Sequence, residues 1–368
     1  MSDGRARSRI LYVSYPLLRV SETSAGGAEQ MLSVLERHMA ARGHFTTVAA
    51  CEGSKVAGRL LATGKECSEP DRLERRNAEH TTAILEHVWR THDCGNGYDL
   101  IHDKSGHFWV HASALPLPVI ATLHLPRHFY RSDMAHLSAP NLFFNCVSHS
   151  QQRNFEGLPN LLGVVENGIE IASFPFEKHK DNYLLWMGRI CEEKGPHVAL
   201  DLADRLGVPL VLAGQVYPFS YHQEYFQREI VPRLERARTL VTFVEKPSTE
   251  SKLNLLRKAR ALIIPTLVDE TSSLVAMEAM ACGTPVVAFR RGAIPEVVRD
   301  DETGFVVDGF DEMVTAMDRV NEINPETCRA HVEARFSAER MAADYELLYA
   351  QVLQRRDRSA NSAVVVTP

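Results

Sequence analysis

Short apolar runs rich in β-branched residues alternate with stretches whose apolar positions recur at helical spacing, along almost the whole chain. In the first half, the runs at residues 10–15, 46–50, 98–102, 119–122, 142–147 and 162–166 predict strands, and 28–42 predicts a helix between the first two. Residues 171–182, with Pro175 and mixed charges, read as a linker. The pattern then restarts. Strands are expected at 183–187, 210–212, 240–243, 261–264, 286–288 and 304–307, and helices at 196–206, 223–235, 251–258 and 274–281. A last helix at 337–353 puts Met341, Tyr345, Leu348 and Val352 on one face, and residues from 355 read as a frayed tail.

This alternation predicts an α/β chain of two Rossmann-like, doubly wound domains facing a cleft. The expected divisions are 1–175, 176–335, a closing helix at 336–355 and a flexible tail at 356–368. Ligands in such sheets bind at the carboxyl ends of the strands, so chemistry is sought in the loops that follow them.

The 368 residues suit two domains, and 41 basic against 47 acidic side chains leave a net charge of −6. Nothing in that balance attracts nucleic acid or anionic lipid, so any bound anion must be held locally. Seven scattered cysteines with no CxxC pair read as free thiols in a reducing compartment, not as a disulfide frame or zinc site. The start, MSDGRARSR then ILYVSY, lacks the apolar length of a signal peptide, and the apolar window 112–126 is interrupted by Pro116, Pro118 and His124. A cytoplasmic protein without an integral membrane segment is expected.

Three segments carry candidate chemistry. The loop after the first strand, Ser24-Ala25-Gly26-Gly27-Ala28-Glu29-Gln30, brings adjacent glycines to a helix start, where a ligand can approach free amides. The plain alternative is an ordinary tight turn. It is not GxGxxG, and residues 58–66 miss the P-loop pattern by one spacing and by Glu66. The second segment is Gly188-Arg189-Ile190-Cys191-Glu192-Glu193-Lys194-Gly195, where Arg189 and Lys194 can grip a diphosphate, or else form a solvated charged loop. The third, residues 265–298, sets Glu270 in a loop before a helix opened by Ser272 and Ser273 and carrying Glu278. Amides at Ser272, Ser273 and Leu274 make an anion site there, and two carboxylates eight apart can bind sugar and ribose hydroxyls. Otherwise Ser272 is only a cap and Glu278 an exposed helix residue.

The third segment resembles the retaining GT-B glycosyltransferases of family 4: Glu270, seven residues, Glu278, then Ala279-Met280-Ala281-Cys282-Gly283-Thr284-Pro285-Val286-Val287. The likeness extends through Gly26-Gly27-Ala28-Glu29, His124 after an apolar strand, Val165-Glu166-Asn167-Gly168-Ile169, the Gly188 to Gly195 loop and the closing Phe336-Ser337 helix. It implies a nucleotide sugar held mainly by the C-terminal domain, with UDP as the first expectation, and an acceptor held mainly by the N-terminal one. Arg189 and Lys194 then look like the pair neutralising the departing diphosphate, Glu270 the donor-sugar ligand and Glu278 the ribose ligand. His124 looks like the histidine near the reacting carbon, Gly26 and Gly27 like the diphosphate loop, and the last helix like one returning to the first domain. Ser272-Ser273 stands where Phe-Gly is frequent, Val244-Glu245 where a glycine is usual, and Arg290-Arg291 where small residues are common.

No cofactor is expected, and without a DxD pair transfer should be metal-independent. His107 and His111 lack the glutamate of HExxH. Arg72, Arg75 and Arg76, interleaved with Glu69, Asp71, Glu74 and Glu79, read as a solvated helix face. The acceptor is a small molecule, a glycan or a lipid-linked species, met by loops at 17–25, 53–65 and 127–139. The alternative function is a non-enzymatic two-lobed nucleotide-sugar binder.

Overall fold

A computed structural model describes residues 7–364, apart from 25, 68–71, 135, 137 and 138. The chain forms two compact units, Met1–Gly168 with Ala338–Pro368, and Ile169–Ser337. The first is built on seven parallel strands, β1 (Arg9–Val13), β2 (Phe45–Ala50), β3 (Arg59–Ala62), β4 (Leu100–Asp103), β5 (Val119–Leu123), β6 (Leu142–Cys146) and β7 (Leu161–Val164), in the order 3-2-1-4-5-6-7. Its inner strands are buried on both faces, which is why they read as unbroken apolar runs. The edge strand β3 has only half-buried leucines between exposed ends, and its weak signal escaped the hydrophobic pattern. It occupies the stretch that nearly matches a P-loop, so that match opens no helix.

The second unit carries six parallel strands, β8 (Leu184–Arg189), β9 (Leu210–Gln215), β10 (Val241–Glu245), β11 (Ala261–Ile264), β12 (Val286–Phe289) and β13 (Gly304–Val307), in the order 10-9-8-11-12-13. Both sheets therefore reverse direction of winding between two central strands, β1 and β4 in one and β8 and β11 in the other. That reversal is the Rossmann-like switch point, where a crevice opens at the carboxyl edge.

Residues 171–182 are not a free linker. Lys180 Nζ donates to the carbonyls of Arg257 (2.8 Å) and Cys282 (3.0 Å) and to Thr284 Oγ1 (3.0 Å), pinning the segment to the C-terminal ends of two helices. Unpaired carbonyls there attract a cation, and burial pushes the Lys180 ammonium down to about 8. The helix expected at 223–235 begins at Ser220 and includes a π turn at Phe226–Ile230, just before Pro232, which has no amide to continue the regular ladder. Arg75 is exposed and pairs with Glu79 at 2.9 Å, but Arg76 is buried, donating to Lys65 O (3.0 Å) and Thr63 Oγ1 (3.2 Å). The helix Leu73–Asp93 thus presents one of its arginines to the interior; Glu69 and Asp71 lie outside the described residues.

The last helix, Ala338–Val364, continues past the expected stop at 353 and into the expected tail; residues 365–368 lie outside the described residues. It belongs to the first unit, and its tyrosines close a buried polar network on that unit's sheet. Burial holds His102 well below its usual range, so the imidazole is neutral. Thr122 Oγ1 donates to Asn145 Oδ1 (2.8 Å), so His102 donates from Nε2 to Thr122 (2.7 Å) and accepts the Tyr349 hydroxyl at Nδ1 (2.6 Å). Tyr12 lies 3.3 Å from the same hydroxyl, and Lys104 Nζ donates to Tyr345 Oη at 3.4 Å. Tyr349→Phe should leave His102 without a donor and cost about 1–3 kcal/mol in chemical denaturation; an unshifted midpoint would show the network to be dispensable.

Candidate functional site

In the second unit the residues singled out by sequence lie in the loops leaving the two switch strands. Arg189 ends β8, exposed, with its guanidinium 5.9 Å from the Tyr217 ring centre. Gly188, one residue earlier, pairs with Gly214 of β9, and a Cβ on Gly214 would collide with the Gly188 carbonyl, so backbone alone fills this edge. The following turn, Glu192–Lys194, is held against the chain leaving β11. Thr266 Oγ1 and Leu267 N donate to Glu193 O (3.0 and 2.8 Å), and Trp186 Nε1 donates to Lys194 O (3.1 Å). Gly195 follows with φ of +63°, and any Cβ there would strike the Pro265 carbonyl, so both shape and conformation require glycine.

That approach brings Lys194 onto Glu270: Nζ to Oε1 is 2.6 Å. Glu270 is braced in turn by the 290–292 turn, whose Gly292 has φ of +54° and no room for a Cβ beside the Glu270 backbone. Ala293 N donates to Glu270 O (2.7 Å) and Gly292 N to Asp269 Oδ1 (3.1 Å). Arg290 does not enrich the loop in free charge, because it pairs with Asp308 (3.0 Å) and donates to Val306 O (2.7 Å).

Ser273 occupies the N-cap position of the helix Leu274–Ala281, but its side chain makes no capping hydrogen bond, contrary to expectation. The first-turn amides from Leu274 onward, and that of Ser273, remain without intrahelical acceptors, next to the half-buried Ser272. Glu278 is buried rather than exposed, and its Oε1 accepts from Lys252 Nζ at 2.6 Å. Lys252 was missed by sequence reasoning, since a lysine on the charged helix Thr249–Lys258 looks like any solvated one. The second unit thus gathers two lysine–glutamate pairs, an exposed arginine and a helix start at one sheet edge. The lysines and amides suit an anion, and the carboxylates suit hydroxyl groups. Val244-Glu245, where the resemblance leads one to expect a glycine, ends β10, and Lys246 after it takes the left-handed conformation, with φ of +49°.

In the first unit Gly26 is the N-cap of the helix Gly27–Ala41, after β1, while Ala25 lies outside the described residues. A Cβ on Gly26 would collide with the Glu29 carboxylate, which folds back over it. His124 follows β5, half-buried; its amide and that of Leu125 donate to Tyr130 Oη (2.9 and 3.1 Å). Burial, and then the charge of Lys104, hold His124 well below the usual histidine range, so it is neutral at pH 7. Lys104, buried after β4 and 4.7 Å above the Tyr345 ring, has no counterpart in the sequence reading. Its one legible signal was position, immediately after an apolar strand. His107 and His111 do not converge with a third ligand among the described residues. Residues 135, 137 and 138 of the expected acceptor loop lie outside them.

Burial pushes the Glu29 carboxyl up to about 7, against a hydrogen bond from its own amide. The folded state therefore holds a proton that the unfolded state releases near pH 4.3, and stability falls as pH rises from there to about 7. Glu29→Gln should gain stability over the parent between pH 5 and pH 8, by up to roughly 3 kcal/mol. Parallel denaturant melts at the two pH values test this, and a pH-independent difference would place the carboxylate in a solvated setting.

Residues 169–335 match the family model "Glycosyl transferases group 1". The chain is 26% identical over 358 residues to a D-inositol 3-phosphate glycosyltransferase of Mycobacterium sp. (strain KMS), covering 84% of this chain and 81% of the relative. It is 30% identical over 192 residues to a glycogen synthase of Mycobacterium tuberculosis (strain ATCC 25618 / H37Rv), covering 50% and 44%. Among solved structures, sucrose-phosphate synthase from Thermosynechococcus elongatus superposes with a TM-score of 0.78 at 20% identity, covering 95% of this chain and all of that one. Anabaena HepE in complex with UDP-glucose gives 0.73 at 17% identity, covering 95% and 100%. These structural likenesses show the GT-B fold.

Proposed function

We propose that this chain, a glycosyltransferase of GT-B type, moves a sugar from a nucleotide-sugar donor, a UDP-sugar first of all, to an acceptor hydroxyl with retention of anomeric configuration. The observation that carries the reading is the gathering of Arg189, the Lys194–Glu270 pair, the Lys252–Glu278 pair and the Ser273 helix start at the switch point of the second unit. HepE supports the choice of donor, since its structure holds UDP-glucose on the same fold. The enzyme reading is favoured over a non-enzymatic sugar-nucleotide binder by the kind of relatives found.

In the proposed reaction the bond from the anomeric carbon to the phosphate oxygen breaks and the diphosphate keeps the electron pair. Its growing charge is the quantity to be stabilised. Arg189 and Lys194 meet it with fixed positive charge, and the amides at Ser273 and Leu274 add the positive end of a helix. Glu270, oriented by Lys194, takes donor-sugar hydroxyls, and Glu278, oriented by Lys252, takes the ribose. The acceptor oxygen then bonds to the anomeric carbon on the same face, and its proton passes to the leaving phosphate. The roles of His124 near the reacting carbon and of the Gly26-Gly27 loop at the diphosphate rest on the resemblance to family 4 alone. Acceptor binding by the first unit belongs to the same proposal. The free cysteines suit a reducing cytoplasm, and no helix among the described residues is long and apolar enough to cross a membrane.

Incubation with UDP-, GDP- and ADP-sugars and an acceptor mixture should consume a UDP-sugar. Lys194→Ala should lower kcat/KM about tenfold to a hundredfold, chiefly in kcat, with Lys194→Arg partly active. Saturable donor binding with no turnover would favour the binder, and an unchanged Lys194→Ala rate would remove the diphosphate role. Transfer should also persist in excess EDTA, because no metal bridges the diphosphate in this scheme; a rate abolished by EDTA and restored by Mg²⁺ or Mn²⁺ would reject it.

A further inference from the structure

Beside Arg189 and Lys194 lies a cluster to which the transfer scheme gives no task. Cys191, Glu193 and His222 each offer one ligand atom, and these atoms all lie within 4.8 Å of one another. Cys191 and His222 are buried, at 0% and 1% exposure, and Glu193 is half-buried. Among the described residues neither ring nitrogen of His222 has a hydrogen-bond partner, although aromatic rings enclose it: Tyr221 at 4.3 Å, Phe219 at 5.5 Å and Tyr217 at 6.1 Å between ring centres. A buried imidazole left without any partner is costly, and it calls for an explanation.

We propose that Cys191, Glu193 and His222 bind a thiophilic divalent cation, zinc by the nature of the donor set. Thiolate and imidazole select zinc over calcium or magnesium, which take oxygen ligands. Tetrahedral zinc with sulfur, nitrogen and oxygen ligands sets those atoms about 3.3–3.6 Å apart, so the cluster closes by at most about 1.5 Å to reach that geometry. Binding converts the Cys191 thiol to a thiolate and releases one proton to solvent; thiolate and carboxylate then balance the two positive charges. Three protein ligands leave the fourth position to water. The Arg189 guanidinium opposes the cation electrostatically, acting on all three ligands from its place over Tyr217. A bound ion would join the turn after β8 to the helix Ser220–Tyr225, fixing the loop that carries Arg189 and Lys194. The spacing gave no warning, because His222 reaches the other two only through the neighbouring strand β9 and its exit.

The full-length chain, reduced and stripped with a chelator, is titrated with Co²⁺ and then Zn²⁺. We expect one Co²⁺ per chain with a thiolate-to-cobalt charge-transfer band and a tetrahedral ligand-field spectrum, both removed by Zn²⁺. Cys191→Ser should abolish the charge-transfer band, and His222→Gln should weaken Zn²⁺ at least about tenfold. Zn²⁺ should raise the melting temperature of the parent and not that of Cys191→Ser. Absence of the band in the parent, or its persistence in Cys191→Ser through one of the other six cysteines, would overturn the proposal. Should Cys191→Ser not fold, Glu193→Gln decides: its band should remain while Zn²⁺ affinity falls, and an unchanged affinity would count against the site. None of these readouts depends on turnover, so they stand or fall apart from the proposed transfer.

Discussion

β8 and β11 run side by side in parallel and then part, one towards β9 and the other towards β12. Right-handed crossovers carry their following helices to opposite faces, so the outgoing loops must pass each other at the sheet edge. The pass is tight: Gly195 clears the Pro265 carbonyl only because it has no side chain. The proposed anion grip depends on this contact. Without it, Lys194 would not meet Glu270, and the Glu193 carbonyl would lose both of its donors from the chain after β11.

The same edge shows how charge is held ready without a ligand. Lys194 and Lys252 are each partly exposed while their glutamate partners are nearly buried. A buried carboxylate facing a partly wet ammonium loses little of its attraction to screening, and it keeps the lysine aimed. A donor arriving there would meet lysines already fixed in direction, which lowers the ordering cost of binding. The exposed Arg189 is placed differently, with its guanidinium near an aromatic ring rather than paired to a buried carboxylate among the described residues.

In the first unit the polar interior does a different job. His102, Thr122, Asn145, Tyr345 and Tyr349 satisfy one another in the sheet core, and they bind the closing helix to strands far away in sequence. An apolar helix face would have docked on the sheet with less demand on register. Directional hydrogen bonds at low dielectric accept one placement, since a shifted helix would strand several buried groups at once. Lys104 at the end of this network, and the neutral His124 beyond it, carry the same economy of charge to the carboxyl edge of the first sheet.

Twelve of the thirteen strands among the described residues, and the helices nearest the site, were legible because apolar periodicity reports local burial directly. Arg189, Lys194, Glu270 and Ser273 could be named because each sits at or beyond the end of a strand or at a helix start, and Glu278 by its spacing of eight from Glu270, which are local properties of the chain. Their partners could not. The Lys252–Glu278 pair, the inward turn of Arg76, the anchoring of residues 171–182 by Lys180 and the meeting of His222 with Cys191 all depend on which strands are neighbours. Sequence determined which stretches are strand, helix or loop, through interactions a few residues long; only the tertiary structure decided which loops share an edge, because that rests on contacts between segments tens of residues apart.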